Sequence, residues 1–166
     1  MVFGPLYQKS MNSVKTMLYM GSLHGFFTFY LPFELAAWVS SRFDFGIFRY
    51  VAVPLWIVGA AMILRCCMDM VRRGGGTPAH MDPPRQLIIT GLYRHVRNPI
   101  YLGALLALLG HTLWSGSWLV IVYFLCYAIA FHIIVIVLEE PVLRRKFNGE
   151  YEAYCDRVPR WIPKVR

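Results

Sequence analysis

Charge is scarce in this chain. Of its 166 residues only 16% are Asp, Glu, Lys or Arg, against 57% hydrophobic ones, and the mean hydropathy of +0.47 is far above what a water-solvated surface tolerates. Between Arg97 and Glu139 there is no charged residue at all. A soluble globular domain is thereby excluded. Acids are the rarest charge, nine against 17 Lys and Arg, for a net charge of +8. The basic residues are scattered between apolar runs without a continuous face, so they fit anionic lipid headgroups and not nucleic acid. Cys66, Cys67, Cys126 and Cys155 form no CxxC pair, which leaves no zinc pattern and no secreted disulfide framework; reduced thiols and no metal site are expected. Met1 to Lys15 lacks a cleavable signal pattern and a lipidation motif, so the apolar segments are expected to remain as spans. Gly74-Gly75-Gly76 lacks the strand and the Lys of a phosphate loop and reads as a flexible loop. No internal repeat or low-complexity stretch is visible.

What is there predicts an all-α integral membrane protein, a single domain over 1–166 solvated by lipid. About four transmembrane helices are expected, at about 17–39, 50–71, 99–114 and 118–138. Ser115-Gly116-Ser117 is the only good turn in the charge-free stretch, which predicts a helical hairpin over 98–138. Its first arm rises only about 24 Å at 1.5 Å per residue and is short for a full crossing. Basic residues crowd into 72–98 and the tail after Leu138, which predicts both termini and the active face on the cytosolic side. Pro141 after Glu139-Glu140 predicts a break and a new direction. Leu143, Phe147, Tyr151 and Tyr154 then form one apolar stripe beside Arg144, Arg145 and Lys146, the pattern of an interfacial amphipathic helix.

Chemistry is expected where polar groups crowd, in 85–103 and 139–163. Asn98 suits an N-cap and Pro99 the first helical position, so the third span should present free N–H groups beside Arg94 and Arg97, an anion site. Gly103, one turn inside, lets a ligand or a neighbouring helix approach closely. Glu139 and Glu140 repel each other at a helix C-terminus, so a cation must compensate: Arg94, Arg97, Arg157 or a charged ligand. An interfacial Arg–Glu anchor is the bland alternative.

The string Gly91 to Gly103, Gly-Leu-Tyr-Arg-His-Val-Arg-Asn-Pro-Ile-Tyr-Leu-Gly, is followed by the hairpin, Glu139-Glu140, Phe147, Tyr151, Tyr154 and Arg157-Val158-Pro159. In order and spacing it resembles the isoprenylcysteine carboxyl methyltransferase and phospholipid methyltransferase superfamily over roughly 85–163. The resemblance implies an S-adenosylmethionine-dependent methyltransferase, with S-adenosylhomocysteine as product, acting on a lipophilic or membrane-permeant acceptor. Carboxyl O-methylation of an isoprenylcysteine is the nearest expectation; phospholipid N-methyl and small-thiol S-methyl transfer are the alternatives. It further implies Arg97, Glu140 and Arg157 as catalytic, and Tyr93, Arg94, His95, Asn98, Pro99, Tyr101, Leu102, Gly103, Glu139, Glu140 and Tyr154 as cofactor-binding. Two positions depart from the family pattern: Asn98 replaces a His before the proline, and Asn148 separates Phe147 from Gly149.

Two rivals come from other classes. His111 and His132 on the hairpin arms, with His24, suggest a bis-histidine haem, but straight arms put the two hairpin histidines at different heights. Glu34 in the first span suggests a proton-coupled exporter, which ignores the polar cluster; pairing of Glu34 with Arg42 or Arg49 is its bland reading. Neither the acceptor nor the oligomeric state follows from the sequence, and beyond the bilayer and the acceptor no partner is implied.

Overall fold

The computed structural model describes residues 18, 21–40, 42–70, 72 and 86–163, and every regular element among them is helical. A π-helical segment, Gly25–Tyr30, runs into α1, Leu31–Ala37. A 3-10 turn, Gly46–Val51, leads into α2, Ala52–Asp69. A second one, Gly91–Arg94, precedes α3, Pro99–Ser115. Then α4, Trp118–Ile133, continues through a π-helical stretch, Ile134–Glu139, into α5, Glu140–Arg157. The Gly74-Gly75-Gly76 loop and several of the basic residues counted for orientation lie outside the described residues.

The hairpin turn forms as its sequence predicts. Gly116 ends α3 in the left-handed region at φ 61, where a Cβ would run into the Phe43 carbonyl oxygen; only glycine fits both demands. The Phe43 N–H donates to the Gly116 carbonyl at 2.8 Å, and Arg42 bridges Ser117. The loop between α1 and α2 therefore docks on the hairpin turn, at the opposite end of α3 from Pro99.

At the centre α2 and α3 pack backbone to backbone. A Cβ on Gly59 would stand 2.5 Å from the Gly103 carbonyl oxygen, and one on Gly103 would stand 2.8 Å from that of Gly59. Small residues let membrane helices gain close van der Waals contact that lipid cannot replace. Ile63, Cys66, Cys67, Met70, Ile100 and Ala104 build the core beside this contact, with Phe131 from α4.

The outer faces are apolar. Ile57, Leu64, Leu125, Ile129, Ile133 and Val137 are each more than half exposed, which suits lipid and not water. Two helical runs among the described residues are long and apolar enough to cross a membrane, Gly46–Asp69 and Trp118–Arg157; Pro99–Ser115 is apolar but shorter. The first expected span is helical from Gly21 to Ala37 among the described residues.

The break expected at Glu139-Glu140-Pro141 does not occur. Pro141 lacks an N–H and crowds the carbonyl one turn back; the wide π turns of Ile134–Glu139 absorb that mismatch without stopping the helix. The chain breaks instead at Asn148, with φ 44 and ψ −127, near the first central position of a type II′ turn, where Gly, Asn and Asp predominate. Leu143, Phe147, Tyr151 and Tyr154 do share a cluster, with Val158, and both tyrosines are buried.

Adding a Cβ at the α2–α3 contact must push the helices apart. Gly59→Ala and Gly103→Ala should each cost about 1–3 kcal/mol, read as a lowered melting temperature by circular dichroism in detergent. Gly149→Ala, with open space around its Cβ, serves as the control. Equal melting of all three variants and the wild type would contradict the close contact.

Candidate active site

The polar end of the bundle is assembled from three stretches of chain. The first is the loop before α3. Gly91 turns it at φ +64, with its Cβ position 2.5 Å from Asp69 Oδ2 at the end of α2; Asp69 is buried and lies 3.4 Å from Arg65 Nε. The loop is thus seated on α2 before it presents Arg97.

The second stretch begins α5, where the apolar run has just ended, and the third is the segment after α5. They are tied to the first by directional bonds. The Arg97 N–H donates to the Pro159 carbonyl at 2.9 Å, Asn98 Nδ2 to the Arg160 carbonyl at 3.3 Å, and Tyr154 Oη to the Tyr93 carbonyl at 2.7 Å. Asn98 occupies the N-cap position of α3 without a side-chain cap bond; its amide holds the C-terminal segment instead.

Glu140 is the hub of these contacts. Its side chain is 8% exposed, and Arg97, at 12%, donates from Nη1 to Oε1 at 3.2 Å. Arg160 grips both carboxylate oxygens, Nε to Oε1 at 2.7 Å and Nη2 to Oε2 at 3.0 Å, the bidentate geometry that suits Arg to carboxylates. Arg144 stands 3.9 Å from Oε2 and also pairs with Glu152. Burial pushes the Glu140 carboxyl up, but the Arg160 hydrogen bond and the charges of Arg97, Arg160 and Arg144 outweigh it and hold the group below its ordinary value. Neighbouring Glu139 accepts from Tyr101 Oη, and the Tyr101 ring lies 4.3 Å from that of Phe131.

One donor is left over. Arg97 Nε is buried and has no hydrogen-bond partner among the described residues, a donor whose partner they do not supply. A buried carboxylate between cations, an unspent guanidinium N–H and the tyrosines 93, 101 and 154 fit a cofactor that carries a carboxylate, a cationic centre and an aromatic base.

The sequence-predicted residues separate by position. Arg97, Asn98, Glu140, Tyr154 and the Tyr93 carbonyl meet in this network, with the Tyr101–Glu139 pair beside it; Pro99 starts α3, and Leu102 is half-buried in its first turn. Arg94 and His95 are exposed. Gly103 is taken up by contact with Gly59, the helix-packing option. Arg157, expected among the catalytic residues, is exposed and donates from Nε to the Ala153 carbonyl of its own helix at 2.9 Å. Arg160 stands on Glu140 in its place. The legible signal was Pro159: it ends the helix, so a residue just beyond it can return toward the bundle. Cys155 was also overlooked; its Sγ accepts from Arg97 Nη1 at 2.8 Å.

Elsewhere, His111 packs among Phe29, Phe33 and Trp56, while His132 accepts from Trp161 Nε1 at 3.2 Å. Glu34 meets Tyr30, and Arg42 bonds the Ala36 carbonyl.

Comparison with known proteins bears on the same region. The phospholipid methyltransferase family model matches residues 76–150. The chain is 28% identical over 173 aligned residues to the Delta(14)-sterol reductase LBR of Gallus gallus, an alignment that takes in 89% of this chain and 27% of the reductase. The chain thus spans about a quarter of that relative's length. It is also 39% identical over 66 residues to an uncharacterized protein of Haemophilus influenzae, covering 38% of this chain and all of that protein.

Glu140→Gln strips the charge from the hub and leaves two arginines facing each other. A loss of roughly 3 kcal/mol is expected, against no more than about 0.5 kcal/mol for Arg157→Ala, by thermal melting at neutral pH. Because the native Glu140 value is lowered, its stabilising contribution is complete above the ordinary glutamate value. It is lost as pH falls through the lowered one. Melting followed from neutral to acid pH should therefore show wild type converging on Glu140→Gln; a constant difference would contradict the linkage.

Proposed function

We propose that this chain, whose residues 76–150 match the phospholipid methyltransferase family, transfers the methyl group of S-adenosylmethionine to a lipophilic or membrane-permeant acceptor at the polar end of its helices. The observation that carries the reading is the buried Arg97–Glu140–Arg160 network. It joins the loop before α3 to the start of α5, both within the family-matched residues.

The residues divide the work by charge. The carboxylates of Glu140 and Glu139 compensate the cationic parts of the cofactor. Arg97, through its unspent Nε–H, holds an anionic group and polarises the acceptor, and Arg94 and His95 at the rim meet the cofactor's carboxylate. Tyr93, Tyr101 and Tyr154 provide aromatic walls. Of the two arginines on Glu140, Arg160 is the one that yields, since it sits at 30% exposure on the segment after α5. Bound cofactor supplies an electrophilic methyl group for in-line displacement, so the protein contributes alignment and electrostatics. Carboxyl O-methylation uses Arg97 most directly, because an arginine fork matches a carboxylate; amine and thiol acceptors are the alternatives. The cytosol is the side from which a water-soluble cofactor arrives, and the acceptor enters from the bilayer.

The alignment with a sterol reductase over 89% of the chain supports a second reading, reduction of a lipophilic substrate, which requires a hydride donor in place of a methyl donor.

Calorimetry on the full chain in detergent and in lipid separates the two. S-adenosylhomocysteine should bind saturably, about tenfold or more weaker in Arg97→Ala and Glu140→Gln. Labelled methyl transfer is then screened on a prenylcysteine, phosphatidylethanolamine and a small thiol. Absence of binding in both media, with a reduced nicotinamide nucleotide binding instead, would falsify the methyltransferase reading in favour of the reductase.

A further inference from the structure

Glu140 and Cys155 lie at opposite ends of α5, fifteen positions apart, so a straight helix would separate them by about 22 Å. Yet both accept from the same nitrogen, Arg97 Nη1, Glu140 Oε1 at 3.2 Å and Cys155 Sγ at 2.8 Å. The break at Asn148 folds the last turns back and makes this convergence possible. The contact between Arg144 and Glu152, eight positions apart across the same break, has the same origin.

We propose that Cys155 is a positioning residue for Arg97, fixing the guanidinium so that its buried Nε–H is kept for an anionic group of cofactor or acceptor. The inference rests on the methyltransferase reading above and adds a residue to its site.

The chemistry of the acceptor atom matters here. A guanidinium needs more than one contact to fix its plane, and a second carboxylate would fix it while cancelling its charge. A thiol sulfur is a weaker acceptor than a carboxylate oxygen, so it restrains Arg97 without adding a second carboxylate to it. Glu140 is already shared between Arg97 and Arg160, which leaves Arg97 a net cation toward its unpaired edge. The remaining groups around it fit this role. Tyr151 on the same arm of α5 faces Arg97, and the Arg97 backbone N–H is held by Pro159. Both head and backbone of Arg97 are thus anchored to the chain that follows Asn148.

The test reads Arg97 directly. In the full chain in detergent, the 15N–1H signal of the Arg97 Nε–H is assigned by its loss in Arg97→Lys. Its solvent exchange is then compared in wild type, Cys155→Ala and Cys155→Ser. Wild type and Cys155→Ser should exchange slowly and alike, and Cys155→Ala about tenfold faster at an unchanged melting temperature. S-adenosylhomocysteine, titrated into the same samples, should bind about tenfold more weakly to Cys155→Ala and be restored by Cys155→Ser. Unchanged exchange in Cys155→Ala overturns the positioning role, and so does an equal loss in Cys155→Ser. If wild type binds no S-adenosylhomocysteine, the methyltransferase reading fails, while the exchange rates still decide whether Cys155 fixes Arg97.

Discussion

A carboxylate at the end of a long apolar run has few ways to remain charged, and Glu140 is the group on which the polar half of this protein depends. Water is largely excluded from it, and within a continuous helix the backbone around it has no free N–H group to offer. Arg97 and Arg160 meet that need from two directions, one from the loop before α3 and one from beyond α5. Neither segment is regular secondary structure that would place itself. A buried ion pair of this kind contributes little net stability over an apolar replacement, because desolvation offsets most of the attraction. Its physical consequence is geometric: three separate stretches of chain acquire one relative position.

That position would drift without a firm base. The Gly59–Gly103 contact supplies it, by holding α2 and α3 at backbone distance one turn into α3. Asp69 at the end of α2 then meets the Gly91 turn, so the loop that carries Arg97 is referenced to the same helix pair. At the other end, Gly116 and the Phe43 backbone close the hairpin against the α1–α2 loop. The fold is thus fixed by glycines where backbones touch and by charge where the chain leaves lipid.

The hairpin was legible because a stretch without charge that contains one Ser-Gly-Ser turn has few other solutions, and the shortness of α3 followed from counting residues. Arg97 and Glu140 were legible for an electrostatic reason: two adjacent acids where an apolar run ends demand a cation, and the cationic loop lay at the same end. Three features were not. Pro141 looked like a break because proline removes a hydrogen bond, but a π-helical stretch accommodates that loss within a continuous helix. Asn148 looked like a mere insertion between Phe147 and Gly149; its positive φ makes it the real break. The identity of the second arginine depended on that break, since redirecting the last turns of α5 turns Arg157 outward and brings Arg160 onto Glu140. Local pattern places side chains on a helix face, whereas a single irregular backbone position decides where that face points.

The two kinds of relative can be reconciled on the same physical division. The likeness to a sterol reductase extends over 89% of the chain, and so includes the first two helices, which carry no chemical motif. The phospholipid methyltransferase match is confined to 76–150, where the polar end begins. Helices packed through glycines and solvated by lipid set no reaction; they set a groove and a depth, and unrelated chemistries can share them. What selects the chemistry is the set of charges where the helices end. Here a guarded carboxylate and an arginine with a donor to spare face each other across a few ångströms. Such an arrangement suits a ligand that carries both signs of charge.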